Sequence, residues 1–173
     1  MSSARRDPSQ LAAYKAGAGV LFAAAAVILA ALGFEHIGGY VPCPLCLQQR
    51  YAFYAGIPLL FLALVLLSAS ERRWSAIVFL VVALAFLANA GLGVYQAGAE
   101  WGYWPGPETC GTAQPITSDA GGLLQSLERT QVIRCDEAQW RFLGLSFAGW
   151  NAVLSFALFA GALNAAFAAA PRR

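Results

Sequence analysis

Two cysteines three residues apart, in Pro42-Cys43-Pro44-Leu45-Cys46, stand where a long apolar run begins. That spacing can close a disulfide, form a redox-active dithiol, or supply half of a metal site. Arg50 follows Cys46 by about one helical turn and puts a permanent cation on the same face. The chain has 4 cysteines, and the other two are Cys110 and Cys135. A thiolate is the nucleophile of disulfide exchange. A helix N-terminus favours it, because unsatisfied N–H groups and the helix dipole attract negative charge there. Arg50 would support a Cys46 thiolate or a polar cofactor group, its plainer use being a snorkelling anchor at a membrane boundary.

For Cys110 and Cys135 alone, a structural staple is the ordinary reading. Beside a Cys-x-x-Cys, a second use opens. The first pair could pass a disulfide to the second, with electrons travelling the other way. Zinc is the main rival, since four cysteines can bind it tetrahedrally. Only one pair has the short spacing, however, and the chain has 1 histidine, His36. No metal is therefore expected. There is no Gly-x-Gly-x-x-Gly for a dinucleotide, and one histidine cannot give bis-histidine haem ligation. Nothing points to nucleic acid. The electron sink that remains is a small lipid-soluble oxidant, and a quinone fits. It takes two electrons, and its carbonyl oxygens accept hydrogen bonds from Arg50 or from Gln48 and Gln49.

The elements that position these residues follow from composition. The chain has 173 residues, of which 59% are hydrophobic and 12% charged. Its mean hydropathy is +0.58. Soluble domains carry about 25% charge, so this chain belongs in a lipid bilayer. Charged residues are absent from Ala16 to Phe34, Tyr51 to Ser70, Trp74 to Ala99 and Phe142 to Pro171. Each run holds the roughly 18 or more residues a helix needs to cross the hydrocarbon. The backbone must satisfy itself in lipid, and the runs lack the alternation of a membrane barrel. The expected fold is an all-α membrane protein, a four-transmembrane-helix bundle with a long external loop. As a single domain over 1–173 it has spans at about 15–35, 45–68, 74–97 and 143–168, and a loop at about 98–142. The first run is too long for a signal-peptide core and stays as helix one.

Lys and Arg set the orientation. Arg5, Arg6, Lys15, Arg72, Arg73, Arg172 and Arg173 all fall on one side, which is read as cytoplasmic. Both termini are then inside, and all four cysteines face a compartment that permits disulfides. Residues 1–13 are expected to fray. The short link Ser68 to Trp74 makes helices two and three antiparallel neighbours. In the long loop, Trp101, Tyr103 and Trp104 suit a membrane interface. A short amphipathic surface helix is expected at roughly Gly122–Thr130. Gln139 to Leu145 reads as the lead-in to helix four.

With these residues in place, the chain resembles the disulfide bond formation protein B (DsbB) family of bacterial inner membranes. The resemblance rests on Phe34-Glu35-His36, on Pro42-Cys43-Pro44-Leu45-Cys46 with Arg50, and on Cys135 to Leu145. It covers about residues 14–168. It implies a multi-pass inner-membrane enzyme that reoxidises a periplasmic, thioredoxin-fold, DsbA-like dithiol oxidase and passes electrons to ubiquinone or menaquinone in the membrane pool. That relay is the family's established pathway rather than a result of this sequence. Residue by residue, the resemblance makes Cys110 the site of the mixed disulfide and Cys135 its loop companion. Cys43 exchanges with the loop pair, Cys46 faces the quinone, and Arg50 matches the family's arginine near the quinone. Some members carry a histidine just beyond helix three. This chain has none there, and Gln96 lies in that region. The other function class is a non-catalytic tetraspan scaffold with two structural disulfides.

Overall fold

The computed structural model describes residues 7–106 and 138–171. The expected helix at 122–130 and the cysteines at 110 and 135 lie outside them. Four long helices carry the fold: α1 (Pro8–His36), α2 (Pro44–Ser68), α3 (Arg72–Glu100) and α4 (Phe147–Ala169). Each is long and apolar enough to cross a membrane. Their large side chains are divided between two surroundings. Phe79 and Phe86 are fully buried, whereas Phe22 and Phe167 are each 74% exposed. A helix apolar on both faces suits a bundle whose outer surface meets lipid.

The helices form a closed ring. α1 packs on α2, α2 on α3, α3 on α4, and α4 returns to α1. The expected pairing of α2 with α3 is present. Lipid gives little hydrophobic drive between helices, so close approach through small residues matters more. Gly93 of α3 is the tightest such point against α4. A Cβ there would sit 2.9 Å from the Ala152 nitrogen and 3.0 Å from the Ala148 oxygen.

Polar staples close one end. Arg72 donates through Nη1 to Asp7 Oδ2 at 2.8 Å and through Nη2 to Ser9 Oγ at 2.8 Å. It also reaches the last carbonyls of α4, at Ala169 (3.2 Å) and Ala168 (3.3 Å). Gln10 adds a bond from α1 to the Leu67 carbonyl at 2.8 Å. For residues 8–13 the expected fraying is therefore corrected. Asp7 caps α1 by accepting from the Ser9 nitrogen, and Pro8 opens the helix with its missing N–H at no cost.

The expected lead-in to helix four takes the form of a hairpin. Arg141–Phe142 (β1) pairs antiparallel with Leu145–Ser146 (β2). The turn between them, Leu143-Gly144, has positive φ at both residues, 52° and 83°. That is the backbone of a type I′ hairpin turn. Ser146 then caps α4 by accepting from the Gly149 nitrogen at 3.2 Å. After α3 the chain folds back, and Trp104 packs so tightly on Gly98 that a Cβ would lie 2.0 Å from its ring.

Gly93→Val should force α3 and α4 apart and lower stability by about 1–3 kcal/mol, the usual range for overpacking. Thermal unfolding in detergent would measure it, and an unchanged midpoint would contradict the close contact. Asp7 is held below its ordinary range, first by the Ser9 backbone N–H and then by Arg72. A carboxylate whose folded-state pKa is depressed stabilises the fold above its unfolded pKa and loses that effect as pH falls. Asp7→Asn should therefore be less stable than wild type at neutral pH. The difference should hold down to about pH 4 and close below it. A difference that does not vary with pH would show that the charge of Asp7 is not used.

Candidate functional site

Cys43 and Cys46 sit at the start of α2 because the local sequence builds a capped N-terminus there. Pro42 and Pro44 bracket Cys43, Pro44 occupies the first helical position, and Cys43 is the N-cap. Its sulfur accepts from the Cys46 backbone N–H at 3.2 Å. Both cysteines are free thiols, and their sulfurs face each other at 2.7 Å. Cys43 is buried and Cys46 partly so. The Cys43 thiol is held above its ordinary range, first by its hydrogen bond with Cys46 and then by burial.

The polar partner of both sulfurs is Gln96, from the last turn of α3. Its Nε2 lies 3.3 Å from the Cys43 sulfur and 3.4 Å from that of Cys46. Its Oε1 accepts from Gln49 Nε2 at 2.7 Å. Gln49 in turn accepts from Asn151 Nδ2 of α4 at 2.5 Å. Asn89 of α3 donates to Ser155 Oγ at 2.9 Å and to Asn151 Oδ1 at 3.4 Å. Gln49, Gln96, Asn89 and Ser155 are all buried. Amides in a low-dielectric interior must find partners or pay full desolvation, and this chain of bonds supplies them.

Arg50 behaves differently from the simplest expectation. It lines the same cavity as Cys46, but Nη1 donates to Glu35 Oε2 of α1. A carboxylate on the neighbouring helix, rather than a sulfur, is its hydrogen-bond partner. Gln48, the other side chain considered for a cofactor oxygen, is exposed and outside the cavity lining.

The cavity has a volume of about 570 Å³. Cys43, Cys46, Gln49, Arg50 and Gln96 all line it, among mostly apolar neighbours from α1 and α4. An aromatic cluster closes one side. The Phe147 ring lies 5.1 Å from Phe34, 5.6 Å from Tyr40 and 4.9 Å from Trp140. Gln139 fixes the approach to this cluster by donating to the Val41 carbonyl at 2.9 Å. Four of the six residues expected in the site are thus around one cavity. The other two, Cys110 and Cys135, lie outside the described residues. Sequence reasoning passed over Asn89, Asn151 and Glu100 as site residues and gave Glu35 no role. The signal for the two asparagines was there: polar side chains inside apolar spans face the bundle interior. Among the described residues, no cluster of three or more His, Cys, Asp or Glu could hold a metal.

The arrangement has the parts of a dithiol site that opens on an apolar chamber. Residues 15–165 match the family model described as disulfide bond formation protein DsbB. Relatives named disulfide bond formation protein B include one from Acidovorax sp. (strain JS42), 31% identical over 153 residues, covering 81% of this chain and 80% of the relative. Another, from Aromatoleum aromaticum, is 34% identical over 137 residues, covering 77% and 80%. A third, from Marinobacter nauticus, is 33% identical over 145 residues, covering 78% and 81%. No solved structure matches the chain. The four-helix membrane bundle, the Cys-x-x-Cys at its mouth and these similarities have one reading: the chain belongs to the DsbB family of disulfide bond formation proteins.

Proposed function

We propose that this protein reoxidises a periplasmic thioredoxin-fold dithiol oxidase of the DsbA type and passes the electrons to ubiquinone or menaquinone. The observation that carries the reading is the placement of the Cys43/Cys46 dithiol on an apolar cavity with few, converging polar groups. A quinone head group is apolar over its ring and polar at its carbonyl oxygens. The chamber has the same balance, with Arg50 as the donor suited to one of those oxygens. A bound quinone supplies a two-electron acceptor. The protein's own part is to hold the dithiol at the chamber wall, keep water out with the Phe34, Tyr40, Trp140 and Phe147 cluster, and fix the sulfurs through Gln96. A partner near about −120 mV is a strong oxidant, so its reoxidation needs a respiring acceptor pool behind it.

In this reading Cys110 takes the mixed disulfide with the partner and Cys135 is its companion. Cys43 exchanges with that pair, and Cys46 faces the quinone. Arg72 lies at the end of the bundle away from the Cys-x-x-Cys. The cluster of basic residues at that end supports an orientation with both termini in the cytoplasm and the cysteines in the periplasm.

Two measurements test the proposal. Cys46→Ala should abolish quinone reduction, while Cys110→Ala should leave the dithiol–quinone step intact and stop turnover with the reduced partner. Normal quinone reduction by Cys46→Ala membranes would sink the assignment. Arg50 is tested in the Glu35→Gln background, because removing it alone strands a half-buried carboxylate. There, Arg50→Met should raise the apparent quinone KM at least about tenfold, the equivalent of one lost charged hydrogen bond. Arg50→Lys should fall between, since it keeps charge and loses the planar fork. An unchanged KM in the Met variant would reduce Arg50 to a partner of Glu35.

A further inference from the structure

Glu100 is the last residue of α3, one turn beyond Gln96. Its side chain lines the same cavity as both cysteines. Gln96 Nε2, which contacts both sulfurs, also lies 3.4 Å from Glu100 Oε1. Only one amide nitrogen therefore separates the carboxylate from the dithiol. The second carboxylate oxygen, Oε2, is buried and has no hydrogen-bond partner among the described residues. A buried carboxylate oxygen left unpaired is costly, and such groups call for a chemical reason.

The neighbours do not supply an ordinary ion pair. Arg141 of β1 reaches the Glu100 backbone carbonyl, with Nη2 at 3.5 Å. Ser146 of β2 stands within reach of the Glu100 carboxylate, while the Arg50–Glu35 pair of α2 and α1 lines the cavity wall. Cys43 and Cys46 at the mouth of α2 are the titratable groups linked to Glu100 through Gln96.

We propose that Glu100 is the proton acceptor of the Cys43/Cys46 dithiol. The inference rests on the quinone-linked reading above. Oxidation of the dithiol breaks two S–H bonds, forms one S–S bond, and releases two electrons and two protons. The electrons go to the quinone, which becomes the hydroquinone and needs both protons. Glu100 takes the proton of the ionising thiol, directly or through one water, and holds it inside the cavity until the hydroquinone receives it. The second proton comes from the other thiol. Reduction of the disulfide by the partner refills both.

The test uses the full chain in detergent, stripped of quinone, with Glu100→Gln as the near-isosteric variant and Glu100→Asp as the variant that keeps a carboxylate. On reduction of the Cys43–Cys46 disulfide, wild type should gain the infrared carbonyl band of a protonated carboxyl. Glu100→Gln should lack that band, and Glu100→Asp should keep it. The rate of Cys46 alkylation should depend weakly on pH in wild type, because the proton moves within the site. In Glu100→Gln it should rise about tenfold per pH unit below the thiol pKa, as for an isolated thiol. With quinone restored, Glu100→Gln should lose roughly a hundredfold in turnover, the usual scale of general-base assistance. No carboxyl band in wild type, or the same band in Glu100→Gln, would overturn the proposal. If added quinone fails to oxidise the wild-type dithiol, the quinone reading fails, while the quinone-free spectra still decide whether Glu100 takes the proton.

Discussion

The amide of Gln96 ties the chemistry to the bundle. Its nitrogen serves both sulfurs and its oxygen accepts from Gln49, so the dithiol is joined to a polar ladder that runs through Asn151 to Asn89 and Ser155. In a lipid-embedded bundle such groups have no water to fall back on. Each must be met by another, and the meeting fixes the rotation of α2, α3 and α4 about their own axes. Gly93 lies on α3 between Asn89 and Gln96, and there the α4 backbone comes closest. Close backbone contact and polar contact reinforce each other. Either alone would leave the Cys-x-x-Cys less well aimed.

The four spans were legible because the bilayer allows so few alternatives. Charge-free runs of sufficient length had to be helices. What was missed lay at the ends, where local chemistry decides. Asp7-Pro8 is a readable N-terminal signal that was outweighed by the polar character of the first residues. Leu143-Gly144 was harder. A leucine at positive φ is rare, and the usual hairpin signal is Asn-Gly or Asp-Gly. Tertiary packing, with Trp150 Nε1 donating to the Phe142 carbonyl at 3.1 Å, helps hold a turn that the side chain alone would not choose.

The site was legible in part. Cys43, Cys46, Arg50 and Gln49 could be chosen from spacing on one helix. The partners of those residues could not, because they come from other helices. Arg50 invites pairing with the sulfur one turn away, but a carboxylate on α1 is the better electrostatic match. Glu100 reads as one acid among several at the start of a long loop. Only its depth in the structure distinguishes it.

α1 is the helix least bound to the rest. Its buried residues are Ala13, Gly17, Val20, Ala24 and Ile28, five against eleven in α3. No side-chain hydrogen bond among the described residues ties the middle of α1 to a neighbour, and its polar ties are at its ends. The free energy of local opening is lowest where such contacts are fewest. α1 is therefore the wall of the chamber tied by the fewest contacts, and it contributes no side chain to the amide ladder. A hydrophobic molecule dissolved in the bilayer meets the chamber first at this wall, and the Glu35–Arg50 pair is the polar tie that joins it to α2 beside the dithiol.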